Sequence, residues 1–271
     1  MRQARGMWMP RLQLFELEDL PWFPRAIRDL GTDYIHFVEQ RFRLHAPMLP
    51  LLQQALRASG ERRIVDLCSG GGGPLPALVR DLVAAGVPVR CTLTDRFPNL
   101  AAFDHLAAAS GGAIDCVREP VDARAVPAEL PGLRTVCNAF HHFAPTDARA
   151  ILQAAAAAAH PIAVFEIPDR RWRALVPFLF TPLWLWLATP FLRPFRWRRL
   201  LWTYVVPLVP LYCWWDGIVS TFRAYRADEL LRMATATRGD HEWRSGTVAL
   251  GALPGRVTWL VGCPRRPAAA Q

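Results

Sequence analysis

The stretch Ile64-Val65-Asp66-Leu67-Cys68-Ser69-Gly70-Gly71-Gly72-Gly73-Pro74-Leu75-Pro76 constrains this chain more than any other. A short apolar run carries one acid, ends in four glycines and gives way to a helical pattern. A first parallel strand that turns into a helix N-terminus beneath a nucleotide-like ligand has this form. The glycines admit positive φ and remove Cβ atoms where a ligand approaches the backbone. The alternative is a flexible glycine loop with no ligand, and the strand-then-helix context speaks against it.

From Arg63 onward, strand-like runs at 63–68, 89–94, 114–117, 134–139 and 162–167 alternate with helical stretches at 75–86, 98–110 and 146–159. A short piece near 123–130 fits neither pattern well. Alternation of this kind predicts an α/β fold, a parallel sheet with helices on both faces. A helix over 227–235 and two β-like runs, 241–250 and 256–263, follow, with residues 251–255 reading as a hairpin loop. Residues 1–60 read as helical, cut into pieces by prolines. Trp22, Phe23, Tyr34 and Phe37 there line either a ligand cap or ordinary packed helix faces. The expected division is an N-terminal helical cap (1–60), a core (61–167), an apolar insertion (168–222), a C-terminal helix and hairpin completing the core (223–264) and a tail (265–271).

A length of 271 residues suits one large α/β domain with an insertion. The formal charge is +9, and all 32 basic residues are arginine. Seven of them (170, 171, 173, 193, 196, 198 and 199) lie between Pro168 and Asp216 against only Asp169 and Asp216. That segment is also the most apolar in the chain, which suits an anionic membrane surface better than nucleic acid. No arginine-and-aromatic pattern of a nucleic-acid module appears, so nucleic acid is not an expected partner. The six cysteines show no Cys-x-x-Cys, and no histidines stand at zinc spacing. Reduced thiols, no metal and, without a signal-peptide run at the N-terminus, a cytoplasmic location are expected.

Asp66-Leu67-Cys68-Ser69-Gly70-Gly71-Gly72-Gly73 resembles the first motif of the class I S-adenosylmethionine-dependent methyltransferases. Leu93-Thr94-Asp95 resembles that family's second motif, Pro120-Val121-Asp122-Ala123 the motif after the third strand, and Asn138-Ala139-Phe140-His141-His142-Phe143 the fourth-strand exit. The resemblance runs from about residue 60 to 264, except for the insertion, and departs at Cys68, where the family usually has its first glycine. It implies a Rossmann-like methyltransferase fold, a seven-stranded, mostly parallel sheet ending in an antiparallel hairpin, with S-adenosylmethionine as cofactor. On this resemblance Asp66 faces the methionine ammonium, directly or through water. Cys68, Ser69, Gly70, Gly71 and Gly72 form the loop, Asp95 with Arg96 takes the ribose, Asp122 with Ala123 the adenine, and Asn138 with Ala139 lines the pocket. An acid ending the second strand also serves NAD enzymes, but the glycines do not keep the dinucleotide spacing.

His141 and His142 are the candidate bases. An imidazole can take a proton from a hydroxyl as it attacks a methyl group. The alternative is that one packs the strand exit while the other shapes the pocket. Glu166, ending its strand, either lines the pocket or anchors the N-terminal cap.

Residues 174–192 and 200–215 carry no charge, and Arg193 to Arg199 separates them. Prolines and the positive-inside tendency argue against two clean spans. An interfacial or re-entrant hairpin on the inner face of the membrane is expected, with a soluble lid, a dimer surface or a two-span hairpin as alternatives. Tyr34, Asp216, Ser220, Arg223 and Tyr225 are candidate acceptor-pocket residues, with fastening of the insertion as the bland role for the last four. The expected function is methyl transfer from S-adenosylmethionine to a small apolar or lipid-like acceptor near the membrane surface. A cofactor-binding membrane scaffold without catalysis is the alternative. The oligomeric state is not readable.

Overall fold

A computed structural model of the chain describes residues 8–193, 195–251 and 254–265. They form two compact units. One contains His45–Ile167, Arg226–Ala249 and the stretch from Val257 onward; the other joins the N-terminal residues up to Leu44 with Pro168–Tyr225 and Leu250–Arg256. This boundary differs from the division expected from sequence, because residues 45–60 go with the sheet and not with a cap.

The first unit is built on β1 (Arg63–Leu67), β2 (Arg90–Leu93), β3 (Ile114–Cys116), β4 (Leu133–Cys137), β5 (Ile162–Glu166), β6 (His241–Ala249) and β7 (Arg256–Pro264). The order across the sheet is β3-β2-β1-β4-β5-β7-β6. The first five strands are parallel, and β7 runs antiparallel to β5, with Val164 opposite Leu260. β1 is buried beyond its first residue, β4 up to its last and β5 throughout, as in parallel strands covered on both faces. Strand order places the β1 and β4 exits side by side, with β2 on one flank and β5 on the other. That edge is where ligands bind in open α/β sheets.

The sheet unit's helices end where local chemistry dictates. α2 (Leu49–Ser59) stops at Gly60, whose φ of 77° is left-handed. α3 (Leu75–Ala84) starts directly after the glycines, with proline in its first turn. α4 (Leu100–Ala109) takes Asn99 as its N-cap. α5 (Pro145–Ala157) follows β4. The C-terminal helix Ala227–Thr235 is opened by a capping box in which Glu229 accepts from the Arg226 N–H at 2.9 Å. No helix forms over the ambiguous piece at 123–130. The expected hairpin loop at 251–255 includes residues 252 and 253, which lie outside the described residues, as does most of the expected tail.

The second unit is helical: α1 (Arg25–Phe42), α6 (Leu175–Leu179), α7 (Thr181–Ala188), α8 (Trp197–Leu200), a π-helical turn at Leu201–Val205, and α9 (Leu208–Arg223). Numbered with them in chain order, the Ala227–Thr235 helix of the sheet unit is α10. Ile27, Leu30, Leu185, Val209, Tyr212 and Cys213 form the helical unit's core, and Phe23 and Tyr34 pack against it. Two glycines set its close packing. The Tyr212 ring lies where a Cβ on Gly31 would be, 2.2 Å away, and Phe178 stands 2.3 Å from the corresponding point on Gly217. Arg199, buried to 2% exposure, pairs with Asp33 at 2.6 Å and donates to the Leu192 carbonyl. These contacts fold the insertion onto α1.

Gly31→Ala is expected to displace the Tyr212 ring and cost about 1–3 kcal/mol. Thermal denaturation should show a lower midpoint, and limited proteolysis should cut first within 168–225.

Candidate active site

Asp66 is buried near the end of β1, and each of its carboxylate oxygens accepts a hydrogen bond. Oδ2 accepts from the Ser69 hydroxyl at 2.7 Å, and Oδ1 accepts from the Thr135 hydroxyl on β4 at 2.7 Å. The Asp66 carbonyl accepts from the Thr94 hydroxyl and N–H at the end of β2. The Thr94 carbonyl in turn accepts from the Ser69 N–H at 3.0 Å. Asp66 therefore ties the loop to three strands. As the chain stands, its side-chain partners are two hydroxyls. Burial pushes its pKa up to about 7, against the lowering effect of those hydroxyls.

The loop itself needs left-handed backbone. Cys68 has φ 60°, Gly70 52°, Gly72 102° and Gly73 48°. Gly72 takes a φ that side chains rarely adopt, and a Cβ there would also have to displace the end of the Leu106 side chain, 2.4 Å away. At Gly70 and Gly73 a Cβ would point into open space, which leaves the backbone approachable from outside. Cys68 explains why a glycine is usual at this point: it makes the same left-handed turn with a side chain attached, at a steric cost. Burial and the surrounding carboxylates raise its thiol pKa, so it is a neutral thiol.

Asp95 closes the loop from the next strand. Its Oδ2 accepts from the Gly70 N–H and its Oδ1 from the Phe97 N–H, both at 2.8 Å. Each oxygen retains a lone pair. Arg96 is largely exposed, with its guanidinium 4.0 Å from Asp122. Asp122 is engaged by Arg124, which donates to both carboxylate oxygens at 3.0 and 2.7 Å and also reaches Asp147 at 2.9 Å. That guanidinium holds the Asp122 pKa down to about 2. Asp122 is thus a carboxylate paired with Arg124. Ala123 beside it is buried.

At the β4 exit Asn138 is also left-handed, φ 53°, and its Oδ1 accepts from the Ile167 N–H at 2.9 Å. Ala139 leads into a single 3₁₀ turn, Phe140–His142. Glu166, fully buried at the end of β5, accepts from the Phe140 N–H at 2.7 Å with one oxygen. Its other oxygen lies 2.5 Å from His141 Nδ1. Glu166 therefore anchors His141 within the sheet unit. With Nδ1–H donating to the carboxylate, the Nε2 of His141 is the basic nitrogen. His142 is half-buried, its ring 4.3 Å from that of His141.

No protein-family model and no curated protein matches the chain. Solved structures do. PigF with SAH matches with a TM-score of 0.52 at 18% identity, over 90% of this chain and 62% of that one. Human N-acetylserotonin methyltransferase in complex with SAM matches with a TM-score of 0.50 at 14% identity, over 88% of this chain and 57% of that one. The chain has the class I methyltransferase fold. It spans less than two thirds of the length of both of these proteins.

In this methyltransferase fold the glycine loop, Asp95, Asp122, Asn138 and the His141–Glu166 pair all belong to the sheet unit. The remaining sequence candidates belong to the helical unit, and four of them have structural partners there. Asp216 caps a 3₁₀ turn at Leu17–Asp19, accepting from the Leu17 and Glu18 N–H groups at 2.7 and 3.0 Å. Ser220 donates to Glu16 at 3.1 Å, and Arg223 pairs with Asp19 at 2.6 Å. The Tyr225 ring carries the Arg11 guanidinium 4.1 Å from its centroid. These four fasten residues 11–20 to α9 and to the residues just after it, the second of the two roles expected for them. Tyr34 packs on the helical unit's core. Sequence reasoning missed Thr135 and Arg124. Thr135 carries no local signal, whereas Arg124, two residues from Asp122, was open to inspection as an ion-pair partner.

The raised pKa of Asp66 gives a signed pH effect. The folded chain holds the proton up to about pH 7, whereas an unfolded aspartate releases it near about pH 4. The extra stability is full below the lower value and lost as pH rises through the upper one. Asp66→Asn keeps the shape without the titration. Urea denaturation from pH 4 to 8 should show wild type losing on the order of 3 kcal/mol relative to that variant.

Proposed function

We propose that the chain is an S-adenosylmethionine-dependent methyltransferase that uses His141 as general base on a small apolar or lipid-like acceptor at a membrane surface. The observation that carries the catalytic reading is the 2.5 Å contact between His141 Nδ1 and the buried Glu166, one strand away from the glycine loop. A buried carboxylate on Nδ1 sets the tautomer, so that Nε2 is the ring nitrogen that can take a proton, as general-base catalysis needs.

The residues present fit the cofactor. Gly70 and Gly73 leave open space in front of the backbone, Asp95 offers a free lone pair on each oxygen, and Asn138 and Ala139 stand at the neighbouring strand exit. PigF and the human enzyme, with the same fold, contain SAH and SAM. S-adenosylmethionine supplies a methyl group already activated on sulfur. The chain's own part is to align the acceptor and to take its proton on His141 Nε2, with the Glu166 carboxylate stabilising the imidazolium formed. Asp66 works one step back, holding the loop. The membrane part of the reading is supported by the uncharged, tryptophan-rich sequence of the insertion and its arginines, and places the chain on the cytoplasmic face.

Calorimetry with S-adenosylhomocysteine is expected to show binding to wild type, weakened at least about tenfold in Asp95→Ala with the loss of a charge-assisted acceptor pair. In a labelled-methyl assay on membrane extracts, His141→Ala and Glu166→Gln should keep cofactor affinity and lose about 10²–10⁴ in transfer. Binding without transfer in wild type would instead favour a cofactor-binding scaffold.

A further inference from the structure

The segment Trp172–Phe191 runs as one apolar helical stretch of 20 residues, with only 17% of its most apolar window buried. Its outward side is regular. Trp172, Val176, Phe180, Leu183, Leu187 and Phe191 recur at steps of three or four residues, and all are exposed. That spacing keeps them on one helical face over ~28 Å. The opposite face is spent inside the helical unit, with Thr181, Leu185 and Thr189 buried and Leu185 in the core with Val209 and Tyr212. A surface helix in water carries polar residues on its outer stripe; between Val176 and Phe191 this one carries none.

A second apolar point adjoins the first. The chain bends by 74° between the 197–205 and 208–223 helices, and the bend exposes Val205, Val206, Leu208 and Leu211. The Tyr204 hydroxyl donates to the Trp186 carbonyl at 2.7 Å, which holds the bend against the stripe helix. Charge lies at the two ends of this surface. Arg173 lies at the N-terminal end of the stripe, next to Trp172, and Arg193 and Arg198 follow it; all three are exposed, and none has a carboxylate partner among the described residues. Exposed Trp172 and Trp197 stand beside these arginines. Apolar stripe, aromatic edge and uncompensated arginines together match the hydrocarbon boundary, interface and phosphates of an anionic leaflet.

The rest of the unit decides how such a surface can be used. α9 supports the stripe helix, and α1 packs on α9 through Gly31 and Tyr212. α1 carries exposed Arg25 and Arg41 and the Arg25–Asp29 pair. A spanning stripe helix would draw this charged bundle into hydrocarbon, at a cost of several kcal/mol per unpaired charge. Resting on its outer face, the same helix leaves the bundle in water.

Building on the membrane reading above, we propose that the helical unit is monotopic: the stripe of residues 172–191 and the bend at 204–211 lie in the plane of one anionic phospholipid leaflet, with Arg173, Arg193 and Arg198 on the phosphates and no crossing.

The test uses the full chain with sealed vesicles of phosphatidylcholine alone or mixed with phosphatidylglycerol. Wild type is expected to float with the mixed vesicles and far less with the neutral ones. Leu183→Glu/Leu187→Glu, which alters exposed side chains only, is expected to reduce flotation at least tenfold, roughly the effect of two charges on a buried apolar face. Unchanged S-adenosylhomocysteine affinity would show that this variant is folded. Phe195→Cys, bound to mixed vesicles, is expected to react with a membrane-impermeant maleimide from outside, above the wild-type background. Labelling of Phe195→Cys only after detergent would mean crossing and would overturn the monotopic proposal while leaving membrane association intact. Undiminished flotation of the glutamate variant would overturn the assigned face. Absence of wild-type flotation with both vesicles would remove the membrane reading itself, and cofactor binding would still report separately on the methyltransferase reading.

Discussion

The hydrogen bonds of Asp66 are the constraint on which the carboxyl edge of the sheet depends. A carboxylate buried to 2% exposure is costly unless its lone pairs are met, and here Ser69 meets one oxygen and Thr135 the other. Those two bonds decide where the glycine loop leaves β1 and couple that exit to β4. Thr94, bonded to the Asp66 carbonyl, brings in β2. Three strand ends are thereby held in one relation by the chain's own hydrogen bonds.

Local strain gathers at the same edge. Cys68 and Asn138 both take left-handed φ without being glycine, one at the exit of β1 and the other at the exit of β4. Such residues persist where surrounding bonds over-determine them. Asn138 is held by the Ile167 N–H on its side chain, and Cys68 by the closed ring of bonds linking Asp66, Ser69 and Thr94. Glu166 completes the edge from β5 by orienting both the 140–142 turn and His141. The sheet therefore delivers three acids with different duties: Asp66 is structural, Asp95 closes the loop while retaining acceptor capacity, and Glu166 serves the imidazole.

The helical unit uses buried charge differently. Asp33–Arg199 and Arg223 with Glu16 and Asp19 are ion pairs between segments far apart in the chain, and Asp216 caps a turn 199 residues before it. Burial pushes the Asp216 pKa up to about 6, which its two backbone donors only partly offset. These contacts lend specificity to a unit whose outer face is apolar and would otherwise have many ways to collapse. The polar cluster after the insertion looked like a pocket because polar residues after an apolar run draw attention. Its partners lie in a proline-broken segment near the N-terminus that carries no motif.

The sequence by itself determined the alternation of strands and helices, the glycine turn, the acid ending β2, the histidine pair and the uncharged insertion. Each is a local pattern, set by periodicity, φ preference or composition within a few residues. Only the tertiary structure decided what the charged and hydroxyl groups do. Asp66 finds Thr135 69 residues away, Glu166 finds His141 25 residues away, and Ser220 finds Glu16 across 204. Such pairings follow from which strands lie side by side and in what register, and a hydrogen bond of under 3 Å is too short-ranged to leave a trace in the spacing of residues along the chain. The outward face of 172–191 shows both halves at once. Its apolarity was written in the sequence, and which of its sides would be left uncovered was settled by the packing of α9.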